Sequence, residues 1–241
     1  MKNNLVAKIL VAEDEQAIRD FVILNLNRAG YDVIATKNGK EAIEKYEENN
    51  GSFDMALLDI MMPEVDGIQV CKYLRAKDNT IGIIMLTAKT QEMDKVTGFF
   101  VGADDYITKP FSISELMARV DAVYRRVSLV KNTGTQNDAE DILQSGPFTL
   151  DVRSRTFKKN DKLIELTQIE YQIMEYFLKN ANKALTRADI LNHVWGTYYI
   201  GDEKIVDVNI RRLRIKIEDD PSKPVYLTTI WGLGYKWIDL C

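Results

Sequence analysis

Four segments of the chain place a polar side chain that can handle phosphate directly after an apolar run. In chain order these side chains are the acid pair Glu13 and Asp14, the carboxylate of Asp59, the hydroxyl of Thr87 and the ammonium of Lys109. In an open parallel α/β sheet the carboxyl ends of the strands border one crevice, so we expect the five side chains to meet there. Together they would suit the transfer of a phosphoryl group to the Asp59 carboxylate.

The acidic members of this set predict a magnesium site. Three carboxylates this close would repel one another unless a cation lay between them. Mg2+ prefers oxygen ligands and keeps positions open for phosphate oxygens. We expect direct bonds from Asp14 and Asp59, a water-mediated contact from Glu13, and a backbone carbonyl bond from Met61. Lys109 would add a further positive charge.

Several of these residues also have a simpler structural interpretation. Asp14 could cap a helix, Asp59 could cap the turn after its strand, and Lys109 could be a solvated surface lysine. Four motifs at successive strand ends favour a shared phosphate site over a structural coincidence.

The segments that hold these residues alternate between strand-like apolar runs and helical patterns. Five strand–helix units with short connections predict a parallel sheet covered on both faces. The third and fourth runs are continuously apolar, as buried central strands are. Strands are predicted near residues 8–12, 31–35, 54–58, 81–86 and 104–107, and helices near 15–29, 39–49, 66–76, 90–102 and 112–126.

A second pattern begins after a polar, aperiodic segment. Residues 128–141 predict a linker, which separates a domain at 1–127 from a second domain at 142–241. The second domain opens with an alternating, hairpin-like series and closes with a hairpin that turns at Trp231–Gly234. Its helices are predicted near residues 167–180, 187–195 and 204–218.

Composition and charge limit the class of protein. With 241 residues, 46% hydrophobic and 28% charged, the chain suits one large or two ordinary globular domains. The apolar run at 81–86 is too short to span a bilayer, and Met1–Ala7 has no signal-peptide pattern, so we expect a cytoplasmic protein. Net charge is −4; residues 142–241 hold 15 basic and 13 acidic residues, too small an excess to argue for nucleic acid.

The charge distribution along the predicted helix at 204–218 does argue for nucleic acid. Four basic residues lie within six positions of its polar face. We expect Val208, Asn209 and Arg212 on the exposed arc, where valine can touch a thymine methyl and the other two can bond base edges. A solvated amphipathic helix is the alternative. Its narrow apolar stripe consists of Val206, Ile210, Leu213 and Ile217.

The first half resembles the receiver domain of two-component response regulators. The resemblance rests on Glu13–Asp14, on Asp59 followed by Ile-Met-Met-Pro, on Thr87–Ala88 and on Lys109–Phe111. It implies a flavodoxin-like (βα)5 fold with adjacent first and third strands, and a cis bond before Pro110. It also implies a switch at Tyr106, whose ring turns inward when the threonine engages the phosphoryl group.

The second half resembles the α+β winged helix-turn-helix output domain of the OmpR/PhoB family. The resemblance rests on Leu166–Tyr171, Val206–Arg214 and Gly232–Tyr235. It implies that the third helix enters the DNA major groove while the wing tip approaches the minor groove. Where an arginine often forms the wing tip this chain has Trp231, which we expect to pack against the wing rather than stack on DNA sugars. Contacts to phosphates or groove edges are expected from Arg187, Arg211, Arg214 and Thr229.

The resemblance also implies that activated receivers pair with one another. Phe100 stands where the family has an acid, and Asp121 where it has the basic partner of that acid. Exposed ion pairs contribute about 0–1 kcal/mol each, so this loss would alter partner choice rather than abolish dimers. The intact intermolecular pairs would be Lys95 with Glu115 and Asp105 with Arg119.

These patterns predict a transcription regulator that is phosphorylated at Asp59 by a sensor histidine kinase. We expect it to dimerise on tandem half-sites of double-stranded DNA and to have no membrane partner. The loop at 196–202 would face RNA polymerase, with a plain connector as an equal interpretation. One alternative is a constitutive DNA-binding regulator with an inert receiver. A phosphatase is disfavoured because Met61 stands where a second acid would be needed, so only slow self-hydrolysis is expected.

Overall fold

The chain folds into two compact units, Met1–Ser128 and Leu129–Cys241. The computed structural model describes residues 6–88, 102–132, 142–197, 199 and 201–240, and of residues 129–132 only the backbone. No helix within these ranges is long and apolar enough to cross a membrane.

A sheet of five parallel strands forms the centre of the first unit. Its order is β2-β1-β3-β4-β5, so the first and third strands are adjacent, as predicted. Strands β3 and β4 are buried along their whole length, as their continuous apolar sequence predicts. The strands are β1 (Lys8–Ala12), β2 (Asp32–Thr36), β3 (Met55–Asp59), β4 (Gly82–Thr87) and β5 (Asp105–Thr108).

Helices follow the strands of this sheet. Asn38 and Asp66 begin two of them, because each side chain accepts a hydrogen bond from a backbone N–H of the first turn. The last helix extends to Asn132, beyond its predicted end near residue 126, so the first residues of the predicted linker are helical. The helix predicted near 90–102 falls almost wholly outside the described residues. The described helices are α1 (Gln16–Arg28), α2 (Gly39–Glu48), α3 (Gly67–Lys77) and α4 (Ile113–Asn132).

The second unit has a four-stranded sheet, three helices and a smaller three-stranded sheet. The sheet orders are β6-β7-β8-β9 and β10-β12-β11, and all pairs are antiparallel. Strands β6 and β10 are additions to the sequence prediction. The strands are β6 (Ile142–Ser145), β7 (Phe148–Asp151), β8 (Thr156–Lys159), β9 (Lys162–Leu163), β10 (Ala184–Thr186), β11 (Leu227–Ile230) and β12 (Gly234–Trp237). The helices are α5 (Gln168–Lys179), α6 (Arg187–Val194) and α7 (Lys204–Ile217).

The final hairpin is anchored by a buried carboxylate that the sequence did not single out. Glu218 directly follows α7 and accepts hydrogen bonds from the backbone N–H groups of Val225, Tyr226 and Leu227, at 3.0, 3.0 and 2.8 Å. The indole of Trp237 is fully buried at the other strand of this hairpin and packs against Phe148 at a centroid distance of 5.2 Å. The start of the wing is therefore fixed to the end of α7.

Candidate functional site

The first candidate site lies at the carboxyl ends of β1, β3, β4 and β5. Parallel register sets Ala12 beside Leu58 and Thr87 beside Thr108, so these strands end at nearly the same level. Glu13 follows β1, Asp59 ends β3, Thr87 ends β4 and Lys109 follows β5. The predicted residues are thus positioned by strand ends alone.

The ammonium group of Lys109 forms ion pairs with two of the carboxylates. The Nζ atom of Lys109 lies 2.7 Å from Oε2 of Glu13 and 3.1 Å from Oδ2 of Asp59. Carboxylate oxygens of Glu13, Asp14 and Asp59 all come within 4.8 Å of one another. These hard oxygen donors could hold a divalent cation such as Mg2+, which would relieve their repulsion.

Burial differs among the three acids and changes their electrostatics. Glu13 and Asp59 are buried, Asp59 to 4% exposure, whereas Asp14 is exposed at the mouth of the site. Burial raises the pKa of Glu13, and the hydrogen bond from Lys109 only partly offsets it. Burial likewise raises the pKa of Asp59, against the charge of Lys109. Burial lowers the pKa of Lys109, but its two carboxylate partners outweigh this and leave that pKa raised. A cation would favour the ionised acids.

Two further predicted residues lie at this crevice. The backbone N–H of Met61 lies 3.4 Å from Oδ1 of Asp59, while the Met61 side chain is largely exposed. Thr87 is buried, and its carbonyl accepts a hydrogen bond from the Lys109 N–H at 2.6 Å. The metal bond from the Met61 carbonyl and the phosphate contact of the Thr87 hydroxyl stay predictions.

A glycine that the sequence analysis missed lets helix α3 begin in close contact with the backbone of Asp59. A Cβ atom on Gly67 would lie 2.1 Å from the carbonyl oxygen of Asp59, so only hydrogen fits there. The N–H of Gly67 donates to the carbonyl of Ile60 at 3.2 Å. The signal in the sequence is the pair Asp66–Gly67, a helix cap followed by a residue without a side chain.

An apolar groove opens beside Lys109. The bond between Lys109 and Pro110 is cis, as the resemblance implies. The groove has a volume of about 280 Å³ and its apolar walls include the rings of Phe21 and Phe111, 6.3 Å apart. Its lining residues are Ala17, Ile18, Phe21, Lys109, Pro110 and Phe111. The surface next to the candidate phosphate site is therefore apolar.

One of the two predicted intermolecular ion pairs, Asp105 with Arg119, forms within the single chain. The guanidinium of Arg119 lies 3.0 Å from Asp105 and 3.0 Å from Glu115, and both Asp105 and Arg119 are buried. Arg119 also lies over the ring of Tyr106 at 5.9 Å, and that ring is buried. Within the chain the charges of Asp105 and Arg119 neutralise each other, and their pairing with a second chain stays a prediction.

Of the other residues predicted at the dimer surface, the structure describes Asp121, whereas Lys95 and Phe100 lie outside the described residues. Asp121 accepts a 2.7 Å hydrogen bond from the hydroxyl of Tyr31, whose ring packs edge-on against Tyr124 at 5.7 Å. Burial raises the pKa of Tyr31, and the hydrogen bond to Asp121 adds to this. The acid that departs from the family pattern thus has a partner in its own chain.

The second candidate site is helix α7, and two of its predicted base-reading residues are buried. Asn209 is 1% exposed and donates to the carbonyl of Ile205 at 2.8 Å. Arg212 is 4% exposed and donates to the Asn209 side chain at 3.3 Å. Their predicted place on the exposed arc is wrong, because Ile205, Asn209 and Arg212 form a second buried row beside the predicted stripe.

The exposed face of α7 carries a different set of side chains. Val208 is partly exposed, as predicted, and Arg211 is exposed. Ile215, one turn further along the same face, is 54% exposed. This face presents one guanidinium between two apolar groups, which suits contact with base edges and thymine methyls.

Two other basic residues of this region, Arg187 and Arg214, contact the strands of the wing. Arg187 donates to Asp207 at 2.7 Å, and this bond raises its pKa. Arg214 donates to the carbonyl of Leu227 at 2.8 Å and to the hydroxyl of Thr229 at 2.8 Å. Arg187 and Arg214 also lie over the ring of Tyr235, at 5.1 and 5.6 Å. Asp207 and Tyr235, which the sequence analysis missed, thus organise the predicted DNA-contacting arginines.

The tip of the wing is an exposed tryptophan. Trp231 is 92% exposed, so the prediction that it packs against the wing is wrong. It stands in the turn between β11 and β12, beyond the last pair of the ladder, where no strand lies beneath it.

Comparisons with known proteins agree with both halves of this arrangement. Residues 9–121 match the response regulator receiver domain, and residues 160–237 match the C-terminal domain of transcriptional regulatory proteins. The sensory transduction protein RegX3 of Mycolicibacterium smegmatis is 40% identical over 235 residues, 96% of this chain and 99% of the relative. PhoP of Bacillus subtilis, an alkaline phosphatase synthesis transcriptional regulatory protein, is 43% identical over 95% of each chain.

A solved structure extends the match to the fold of the whole chain. A mutant of RitR superposes with a TM-score of 0.72 at 25% identity, over 97% of this chain and 99% of the other. The two domain models divide the receiver sheet and the winged helix between them. Each of the two relatives and this neighbour covers both. The chain therefore belongs to the OmpR/PhoB family of two-component response regulators, which join a receiver domain to a DNA-binding domain that regulates transcription.

Proposed function

We propose that a sensor histidine kinase phosphorylates Asp59 and that this phosphorylation controls binding to double-stranded DNA. The observation that carries the proposal is the placement of Lys109 Nζ 3.1 Å from Asp59 within a cluster of three acids. A nearly buried carboxylate beside a fixed ammonium is suited to attack phosphorus, since phosphoryl transfer depends mainly on positioning and charge neutralisation.

The chemistry of the site divides among a few groups. Bound Mg2+ would supply positive charge to the phosphate oxygens, held by Asp14 and Asp59, through water by Glu13, and by the Met61 carbonyl. Lys109 would neutralise a further oxygen. The Asp59 carboxylate would form a bond to phosphorus as the P–N bond to the histidine of the kinase breaks, and the imidazole would leave with the electron pair and take up a proton. No acid stands two residues after Asp59 to drive rapid turnover, so we infer slow self-hydrolysis rather than enzymatic activity.

The phosphoryl donor we infer is a protein that docks in the groove beside Lys109. The groove volume of about 280 Å³ and its apolar walls, formed in part by Phe21 and Phe111, suit side chains of a partner. A donor seated there would bring its phosphoryl group to the mouth of the crevice, where Asp14 is exposed.

Phosphorylation would act on DNA through a change of pairing between receivers. In the present arrangement Arg119 is bound to Asp105 and Glu115 of its own chain and lies against Tyr106. We propose that movement of Thr87 and Tyr106 on phosphorylation frees Arg119 for a partner chain. The resulting dimer would bind tandem half-sites, and the loop at 196–202, of which residues 198 and 200 lie outside the described part, would face RNA polymerase.

The test compares the full-length parent with the variant Asp59→Asn in the presence of acetyl phosphate and Mg2+. We expect the parent to gain the mass of one phosphoryl group, to double its mass in light scattering and to bind operator DNA more tightly, and the variant to do none of these. Equal DNA affinity of both proteins would establish the constitutive regulator instead. Continuous phosphate release from small phosphate esters would establish a phosphatase.

A further inference from the structure

The wing ends in an apolar tip that stands clear of its own domain. Trp231 and Gly232 occupy the corner of a four-residue turn, closed by a 3.0 Å hydrogen bond from the Leu233 N–H to the Ile230 carbonyl. Gly232 has φ of +75°, and a Cβ placed on it would meet no atom within 4 Å. Leu233 is 44% exposed beside the 92% exposed indole. The turn therefore projects two large apolar side chains into open space.

Exposure of this indole contrasts with the other two tryptophans of the chain. Trp195 and Trp237 are almost completely buried. A large apolar side chain held in water is informative, because burying it elsewhere would stabilise the fold. Its position therefore points to a partner rather than to the domain core.

The wing tip is fixed to the helix that faces DNA. Arg214 of α7 bonds Thr229, and Trp231 lies two residues beyond Thr229, about 7 Å further along the strand direction. If α7 lies in a major groove, a tip at its side meets the neighbouring minor groove. Residues 225–238 contain one basic residue, Lys236, and no acid, so nothing in the wing repels phosphate.

We propose that Trp231, supported by Leu233, is an apolar wedge that enters the minor groove and partly unstacks a base step. This inference rests on the proposed DNA binding and adds the specificity of one element. Apolar wedges kink DNA most easily at flexible pyrimidine–purine steps, so the wing would select TA or CA/TG steps by their deformability rather than by hydrogen bonds. An indole releases no counterions, so its share of the affinity is independent of salt.

Fluorescence of the full-length protein tests the wedge directly. With Trp195 and Trp237 buried, acrylamide quenches mainly Trp231. We expect a duplex recovered by selection from a random pool to protect this emission from acrylamide. Trp231→Ala should weaken binding about tenfold, as loss of base–aromatic stacking does. The slope of log affinity against log salt should stay unchanged, whereas Trp231→Arg should steepen it by about 0.9.

Two matched variants separate the wedge from DNA binding in general. Ile142→Ala removes another exposed apolar side chain, 57% exposed, from the edge strand β6 of the other sheet and should leave affinity unchanged. Arg211→Ala should weaken binding and flatten the salt slope, which establishes DNA binding by α7. If Arg211→Ala does so while Trp231→Ala and acrylamide access show no effect, the wedge is wrong and the proposed function stands. If no duplex binds the parent, the proposed function itself fails. If raising the protein concentration without DNA protects Trp231 from acrylamide, the wing tip contacts a second copy of the chain and the wedge is wrong.

Discussion

Gly67 offers the sharpest test of how backbone packing positions Asp59, the proposed phosphoacceptor. Substitution Gly67→Ala would place a Cβ atom 2.1 Å from the carbonyl oxygen of Asp59 and 2.8 Å from its carbonyl carbon. Real Cβ contacts essentially never fall below 3.0 Å, so the start of α3 and the end of β3 must separate by about 1 Å. The clashing atoms belong to the backbone, so no side-chain rotation can relieve them.

The expected cost has two parts. Overpacking of this kind costs about 1–3 kcal/mol of unfolding free energy, partly offset by the better helix propensity of alanine. A shift of the Asp59 carboxylate by about 1 Å away from Lys109 should slow phosphorylation roughly 100-fold, because phosphoryl transfer depends on alignment. The rate of acyl phosphate formation with acetyl phosphate and Mg2+, followed by mass, measures the second part, and thermal unfolding measures the first.

Gly39 provides the matched control. Its Cβ would lie 2.1 Å from the carbonyl oxygen of Val65 and 2.8 Å from Cγ2 of Val70, so the backbone clash is as short as that of Gly67 but does not fall on Asp59. Gly39→Ala should lose similar stability and keep most of its phosphorylation rate. If both variants lose rate equally, or if Gly67→Ala reacts like the parent, contact between α3 and the Asp59 backbone does not set the reactive geometry.

Substitutions at three other titratable groups, Glu218, Arg119 and His193, are tested by unfolding. Glu218→Ala should lower the free energy of unfolding by about 3 kcal/mol in denaturant titration, since three backbone N–H groups lose a charged acceptor, and Glu218→Gln should lose less. Arg119→Met should lower the free energy of unfolding by about 3 kcal/mol because Asp105 is left buried without its ion pair, and adding Asp105→Asn should restore much of that stability. A double variant no more stable than Arg119→Met alone would refute the pairing. Burial holds the pKa of His193 below its usual 6.5, so the unfolded chain binds the proton first and stability should fall as pH drops through that value. His193→Gln should flatten this pH dependence, and a parallel decline in both proteins would show that other groups cause it.

The candidate phosphate site was predictable because each of its residues is tied to a strand end. Apolar runs locate the ends of buried strands within one residue, and parallel register then brings Glu13, Asp59, Thr87 and Lys109 together without further information. Gly67 could not be found this way, since a close approach of two backbones depends on how a helix packs after its cap.

The exposed residues of α7 were predicted less well because helix rotation is a property of packing. The stripe through Val206 and Ile210 was correctly identified as buried, yet the buried arc also includes Asn209 and Arg212. Ile205 was the available signal, as it heads the row that these two residues continue. Charged residues at the border of an apolar stripe can lie on either side of it, and hydrogen bonds to neighbours decide which.

Several basic side chains near α7 are already bonded to other groups of the protein, and this affects how the protein would bind DNA. Arg187 is bonded to Asp207, Arg214 is bonded to the β11 backbone, and both lie over the ring of Tyr235. Lys216 forms an ion pair with Glu170 at 2.6 Å. A guanidinium already bonded to protein releases fewer counterions on meeting phosphate than a solvated one. The salt dependence of binding should therefore be weaker than the number of basic side chains on α7 indicates. Affinity must then come in larger part from shape and apolar contact, and an exposed indole at the wing tip is the kind of group that supplies it.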